Sequence, residues 1–158
     1  MYQINDIGGA NPSSLRIVGP EHVSDGVKAL AFEFQIRSPA PSNYAGFERY
    51  LETPQDWSAY TQLCMWIDNQ STATDFIIQF REQGDEGWKH QSSLATIDTD
   101  DYCWPLSKPA FALAEWSSPV NGRIDLGAIV YFGIYINGPV RSQGVIYFDN
   151  IRVTNQSP

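Results

Sequence analysis

Apolar residues fall at every second position along most of this chain, and that period constrains its fold more than any other feature. In residues 28–36, KALAFEFQI, Leu30, Phe32, Phe34 and Ile36 share one face, and Ala31, Glu33 and Gln35 the other. In 75–82, DFIIQFRE, Phe76, Ile78 and Phe80 oppose Ile77, Gln79 and Arg81. In 128–137, AIVYFGIYIN, Phe132, Ile134 and Ile136 oppose Tyr131, Gly133, Tyr135 and Asn137. A closing strand is expected over 144–153, GVIYFDNIRV, and further strands over 14–18, 44–51, 61–67, 88–94 and 100–106. Turn-forming strings separate these runs: SDG at 24–26, DNQST at 68–72, QGDEG at 83–87 and NGPVRSQG at 137–144. No segment sustains a helical period, and Pro54 interrupts GFERYLETPQDWSAY, the string most open to a helical reading. Many short strands divided by turns predict an all-β sandwich or barrel. The chain has 158 residues and no internal repeat or low-complexity tract, so a single domain over 1–158 is expected. Only the tail TNQSP reads like the start of a linker.

The charge balance narrows the partners. A formal net charge of −8 argues against nucleic acid, whose phosphates require Lys and Arg, and against anionic membrane surfaces. It is compatible with neutral ligands and with cations such as calcium. No apolar run reaches the roughly 18 residues that span a bilayer. The N-terminal stretch MYQINDIGGANPSS has neither a basic region nor an apolar one of the signal-peptide kind. A Met directly before strand-like sequence reads as a segment of something larger.

Catalytic signatures are missing from the motif inventory. There is no GxSxG and no HExxH, and GGAN at 8–11 is not followed by GK[ST]. His22 and His90 lie far apart and no CxxC occurs, which disfavours a zinc site. A glycosidase needs two carboxylates about 5 to 9.5 Å apart across a cleft. Glu33, Glu48, Asp75, Glu82 and Glu115 are available, but none sits in a motif that frames it. Cys64 and Cys103 permit one intramolecular bridge; two buried free thiols are the alternative.

The polar strand faces carry more information. Gln79 and Arg81 share one face of their strand, and Tyr131, Tyr135 and Asn137 share one face of another. Such a surface suits sugars: rings cover the C–H face of a pyranose while amide and guanidinium groups bond adjacent hydroxyls. The bland alternative is that the two tyrosines pack against cross-strand neighbours.

Taken in order, LRIV, DGVKALAFEF, DWSAYTQLCMWI, DFIIQFREQGDEGWKHQSSL, WPLSKPAF, NGRIDLGAIVYFGIYIN and GVIYFDNIRV resemble carbohydrate-binding modules of the family 11 type. The likeness extends more loosely to family 30 and other jelly-roll modules, and covers about residues 14 to 154. It implies a β-jelly roll of two antiparallel sheets, a cleft for soluble β-glucan chains and a structural calcium. It also implies a monomeric module within a secreted glycoside hydrolase. By position, Tyr44 and Tyr135 match tyrosines of the family cleft, while Glu115 and Trp116 take the places of an acid and a tyrosine in the loop after the PLS strand. Ala112, Leu113 and Ala114 stand where the family pattern has an arginine, and Arg81 is a substitute from the sheet. The expected sugar contacts are therefore Tyr44, Gln79, Arg81, Trp88, Glu115, Trp116, Tyr131, Tyr135 and Asn137. Trp88 has two open readings, cleft lining or core edge. The resemblance assigns calcium to Asp149 in YFDNI, with Asp6, Asp25 and the carbonyl of Lys28 as matching ligands. The alternative for Asp149 is acceptance of backbone hydrogen bonds, since an acid in an apolar strand needs some partner. The expected function is non-catalytic recognition of cellulose-type or mixed-linkage β-glucan. A small jelly-roll glycanase or lyase, or a protein-assembly domain on the same fold, are the competing readings.

Overall fold

The computed structural model describes residues 1–5, 10–39, 43–118 and 121–155. The period of two becomes strands, and no α-helix occurs among the described residues. In chain order the strands are β1 (Gln3–Asn5), β2 (Ser13–Val18), β3 (Ala29–Gln35), β4 (Tyr44–Gln55), β5 (Gln62–Ser71) and β6 (Asp75–Glu82). They continue as β7 (Gly87–Ser93), β8 (Asp100–Pro105), β9 (Ala112–Leu113), β10 (Ile129–Asn137) and β11 (Gln143–Thr154). They form two antiparallel sheets: a larger one ordered β1-β4-β10-β6-β7-β9 and a smaller one ordered β2-β3-β11-β5-β8. This is the β-sandwich expected from the sequence.

The core lies between the sheets. The larger sheet contributes Phe47, Phe76, Ile78, Phe80, Trp88, Ile134 and Ile136; the smaller contributes Phe32, Phe34, Leu63, Met65, Ile67, Ile146 and Phe148. The apolar sets read from β3, β6 and β10 thus all point inward. Rings meet across the layers: Phe148 packs edge-on against Phe47 at 5.5 Å and stacks on Phe76 at 6.0 Å. Burying each such side chain contributes roughly 1.5–3 kcal/mol, set against the entropy of ordering the chain.

Three details differ from expectation, each for a physical reason. β4 continues through Pro54 to Gln55. Pro54 has no register partner on either β1 or β10, so its missing N–H interrupts no ladder bond. β5 runs through the polar string DNQ, because Asp68, Asn69 and Gln70 pair with Tyr147, Ile146 and Val145 of β11. Asp68 is buried but answered, accepting from Thr99 Oγ1 at 3.0 Å and lying 2.7 Å from His22 Nδ1. β1 and β9, with three and two residues, are too short to show an alternation at all. Cys64 and Cys103 stand opposite each other on β5 and β8 and are joined by a disulfide, which closes the alternative of free thiols.

Candidate functional site

Because alternate residues of β6 and β10 point inward, the others form the outer face of the larger sheet, and strand register arranges them in rows. Tyr44, Asn137, Asp75 and Ser93 make one row across β4, β10, β6 and β7. Gly46, Tyr135, Ile77 and Gln91 make the next, then Glu48, Gly133, Gln79 and Lys89, and finally Tyr50, Tyr131, Arg81 and Gly87. The side chains grouped from sequence alternation therefore do converge on one surface.

The two central tyrosines fold down onto this surface. A Cβ placed on Gly46 would lie 2.5 Å from Cδ1 of Tyr135, and one on Gly133 would lie 2.6 Å from the Tyr131 hydroxyl. The glycines thus form the bed on which the rings lie; Tyr135 is 7% exposed, and Tyr131, at 0% and outside the cavity lining, is corrected from a sugar contact to a buried support. Both hydroxyls donate to Glu48 Oε2, Tyr131 at 2.8 Å and Tyr135 at 2.5 Å, and their oxygens lie against each other with no third proton to share. Asn5 Nδ2 adds a third donor to that oxygen at 2.9 Å. Burial opposes ionisation of Glu48, but the hydrogen bonds from Asn5, Tyr135 and Tyr131, with the field of Arg81, outweigh it and hold the carboxyl below its ordinary range. Burial first, and then Tyr135 and Glu48, push the Tyr131 phenol well above its ordinary range; burial and Glu48 push Tyr135 up against the lowering effect of the Tyr131 hydroxyl.

A cavity of about 250 Å³ opens beside this cluster, lined by Tyr44, Gln79, Arg81, Trp116, Tyr135 and Asn137, together with Asn5 and Ile77. The Tyr44 ring stands edge-on to Tyr135 at 5.5 Å. Trp116 is 47% exposed. The Arg81 guanidinium sits between two rings, 4.4 Å from Trp116 and 4.6 Å from Tyr131. Arg81 Nε and Asn137 Oδ1 are buried and have no hydrogen-bond partner in the protein. Glu115 reaches the same face through Lys89 Nζ at 2.6 Å, and that hydrogen bond lowers its pKa. A wider hollow of about 580 Å³ lies over the smaller sheet. Its aromatic member, Phe34, is 3% exposed, so it offers no ring to a ligand.

Trp88 is not on this face. It belongs to the inward-pointing set of β7, is 0% exposed and donates its indole N–H to Glu82 at 2.5 Å, so its reading as a sugar contact is corrected to core. Alternation missed Glu48, Tyr50 and Lys89, although YAGFERY already places Tyr44, Gly46, Glu48 and Tyr50 on one side.

Two of the expected calcium ligands, Asp25 and Asp149, meet at one turn. Asp149 Oδ2 accepts from the backbone N–H groups of Ser24 at 2.9 Å and Asp25 at 3.0 Å, and from the Ser24 hydroxyl at 3.1 Å; Oδ1 accepts from the Asn150 N–H at 2.8 Å. Burial opposes ionisation here too, and these donors overcome it. Ringed by these donors, the carboxylate holds the 24–25 turn against β11. Asp6 lies outside the described residues. Among those described, no three His, Cys, Asp or Glu side chains gather closely enough to hold a metal. Among the described residues the Asp149 oxygens already answer N–H donors, which is a hydrogen-bonding role.

No protein-family model and no curated protein matches this sequence. Solved structures match its fold. A family 11 carbohydrate-binding module from Clostridium thermocellum, in complex with a β-1,3-1,4-mixed-linked tetrasaccharide, aligns with a TM-score of 0.71 at 15% identity, over 98% of this chain and 88% of that one. An exo-β-agarase aligns with a TM-score of 0.70 at 17% identity over 99% of this chain, which spans 23% of that longer chain. A family 30 carbohydrate-binding module aligns at 0.54 and 14% identity, over 98% and 78% of the two chains. At these identities the likeness establishes the fold, which is that of the β-sandwich carbohydrate-binding modules.

Proposed function

We propose that this chain is a non-catalytic carbohydrate-binding module whose ligand, a β-glucan of the cellulose or mixed-linkage type, lies on the outer face of the larger sheet. The observation that carries this reading is the pairing of rings with unanswered polar atoms in one cavity: exposed Trp116 and half-buried Tyr44 beside Arg81 Nε and Asn137 Oδ1. Rings cover the apolar face of a pyranose, and sugar hydroxyls supply the acceptor and donor that these two buried atoms lack. The tetrasaccharide complex of the family 11 module supports the glucan class. The agarase chain, which carries this fold in about a quarter of its length, supports an appended module. The disulfide supports an oxidising, extracellular setting.

The glycanase reading is weaker on this face. Glu48 is the carboxylate at its centre, and its three donors favour the ionised form, which has no proton to give a leaving group. Affinity electrophoresis tests the proposal: mixed-linkage β-glucan in the gel should retard the protein, and incubation with the polymer should release no reducing ends. Unretarded migration in every β-glucan, or release of reducing ends, would overturn it.

A further inference from the structure

The last row of the outer face holds Tyr50, Tyr131, Arg81 and Gly87, one residue each from β4, β10, β6 and β7. Its first three side chains are in contact. The Tyr50 and Tyr131 rings are 4.9 Å apart, and the Arg81 guanidinium lies 4.6 Å from the Tyr131 centroid. β7 supplies no side chain at the fourth place, yet the row continues. The guanidinium is 4.4 Å from the ring of Trp116, which arrives from the loop after β9. A Cβ placed on Gly87 would lie 2.8 Å from Cζ2 of that indole, 2.6 Å from Cζ3 and closer still to Cη2. Carbon atoms pack at about 3.5–4.0 Å, so the benzo edge of Trp116 fills the volume that a side chain at residue 87 would take.

We propose that Gly87 is the positioning residue of this face: by leaving its place in the row empty, it seats Trp116 and so sets which ligand the platform accepts. The inference rests on the reading of this face as a glycan site. Backbone contacts point the same way. The Gly87 carbonyl accepts from the Ala114 N–H at 2.8 Å, and the Gly87 N–H donates to Ser117 Oγ at 2.9 Å. The two backbone groups of one residue thus grip both ends of the turn that carries Trp116. The adjoining hairpin holds the rest of the loop. Glu86 Oε1 accepts from the Gly122 N–H at 2.8 Å, and Glu82 Oε1 from the Asp125 N–H at 2.7 Å. Gly87 is not one of the glycines with positive φ, which are Gly26, Gly84, Gly122 and Gly144. Alanine there meets no backbone strain, and its conflict is with the indole.

The experiment compares wild type, Gly87→Ala, Trp116→Ala and the double variant. The indole N–H resonance of Trp116, identified by its loss in Trp116→Ala, reports the seat without any ligand. Calorimetric titration with a mixed-linkage β-glucan tetrasaccharide reports its consequence, and melting curves report the fold. Gly87→Ala is expected to shift the Trp116 resonance and weaken binding about tenfold, as loss of one stacking ring does. In the Trp116→Ala background it should change affinity less than about twofold, because the shared element is already gone. An unmoved resonance with unchanged affinity overturns the proposal, and so does an equal loss in both backgrounds. If Gly87→Ala does not fold, Ser117→Ala frees the Gly87 N–H instead and should shift the same resonance; an unmoved signal there also overturns it. Absence of glucan binding by the wild type would defeat the functional reading separately. The ligand-free resonance then decides the seat: a shift supports it, and no shift overturns it.

Discussion

Glu48 holds the outer face together, since three donors converge on one of its oxygens. Its carboxyl is lowered in the folded state, so its contribution is present above the ordinary glutamate value and is lost as pH falls through the lowered one. Denaturant melts of wild type and Glu48→Gln should differ most at neutral pH, with the gap narrowing as pH falls below the ordinary glutamate value. A gap independent of pH would contradict this assignment. Tyr135 illustrates what the sequence could and could not reveal. Alternation placed its ring opposite Ile134 and Ile136, and it does point away from the core. Alternation alone suggests an exposed ring whose loss leaves stability intact. Gly46 and Gly133 reverse that, because their missing side chains let the ring settle onto the sheet. Tyr135→Ala is therefore expected to cost about 3–5 kcal/mol, as for other buried rings, and Tyr135→Phe about 1 kcal/mol through the lost hydrogen bond. Urea unfolding checks both, and a melt indistinguishable from wild type for Tyr135→Ala would show the ring to be free.

At the scale of elements, strands with a polar face and an apolar face were legible because every residue of β3, β6 and β10 contributes to one pattern. β1 and β9 were not, since two or three residues form no period and are recruited as edges by neighbours already in place. The turn before β3 is tied to the middle of β11. Asp149 gathers N–H donors from Ser24 and Asp25, far away in sequence, so Asp149→Ala should lower stability by about 1–2 kcal/mol. Chelator should not alter the melting temperature of either protein. A chelator-sensitive wild type whose sensitivity vanishes in Asp149→Ala would instead assign calcium to that carboxylate. The β5–β8 pair is tied by a disulfide closing a separation of 39 residues, worth roughly 4 kcal/mol in the chain-entropy view. Reduction should lower the denaturation midpoint accordingly, and an unchanged midpoint would mean that the reduced chain already restricts that loop.

For the whole molecule, the sandwich divides labour between its two apolar and two polar surfaces, and the cavity face is built from four strands brought together by register. That face was half legible. Residues on β6 and β10 were found because period two alone decides their side. Trp88 and Trp116 could not be sorted in the same way. The side taken by Trp88 depends on the register of the hairpin before it, where a shift of one residue exchanges faces. Trp116 comes from a loop with no period and finds its place only because Gly87 leaves one. The proposed ligand site is where Arg81, Trp116 and Asn137 meet. It is tested most directly by amide and side-chain chemical-shift mapping during titration with a mixed-linkage β-glucan tetrasaccharide. Saturable shifts should cluster on Tyr44, Gln79, Arg81, Trp116, Tyr135 and Asn137 and leave Ser14, Glu33 and Gln143 on the smaller sheet unmoved. Shifts gathered on the smaller sheet, or none at any concentration, would contradict the account.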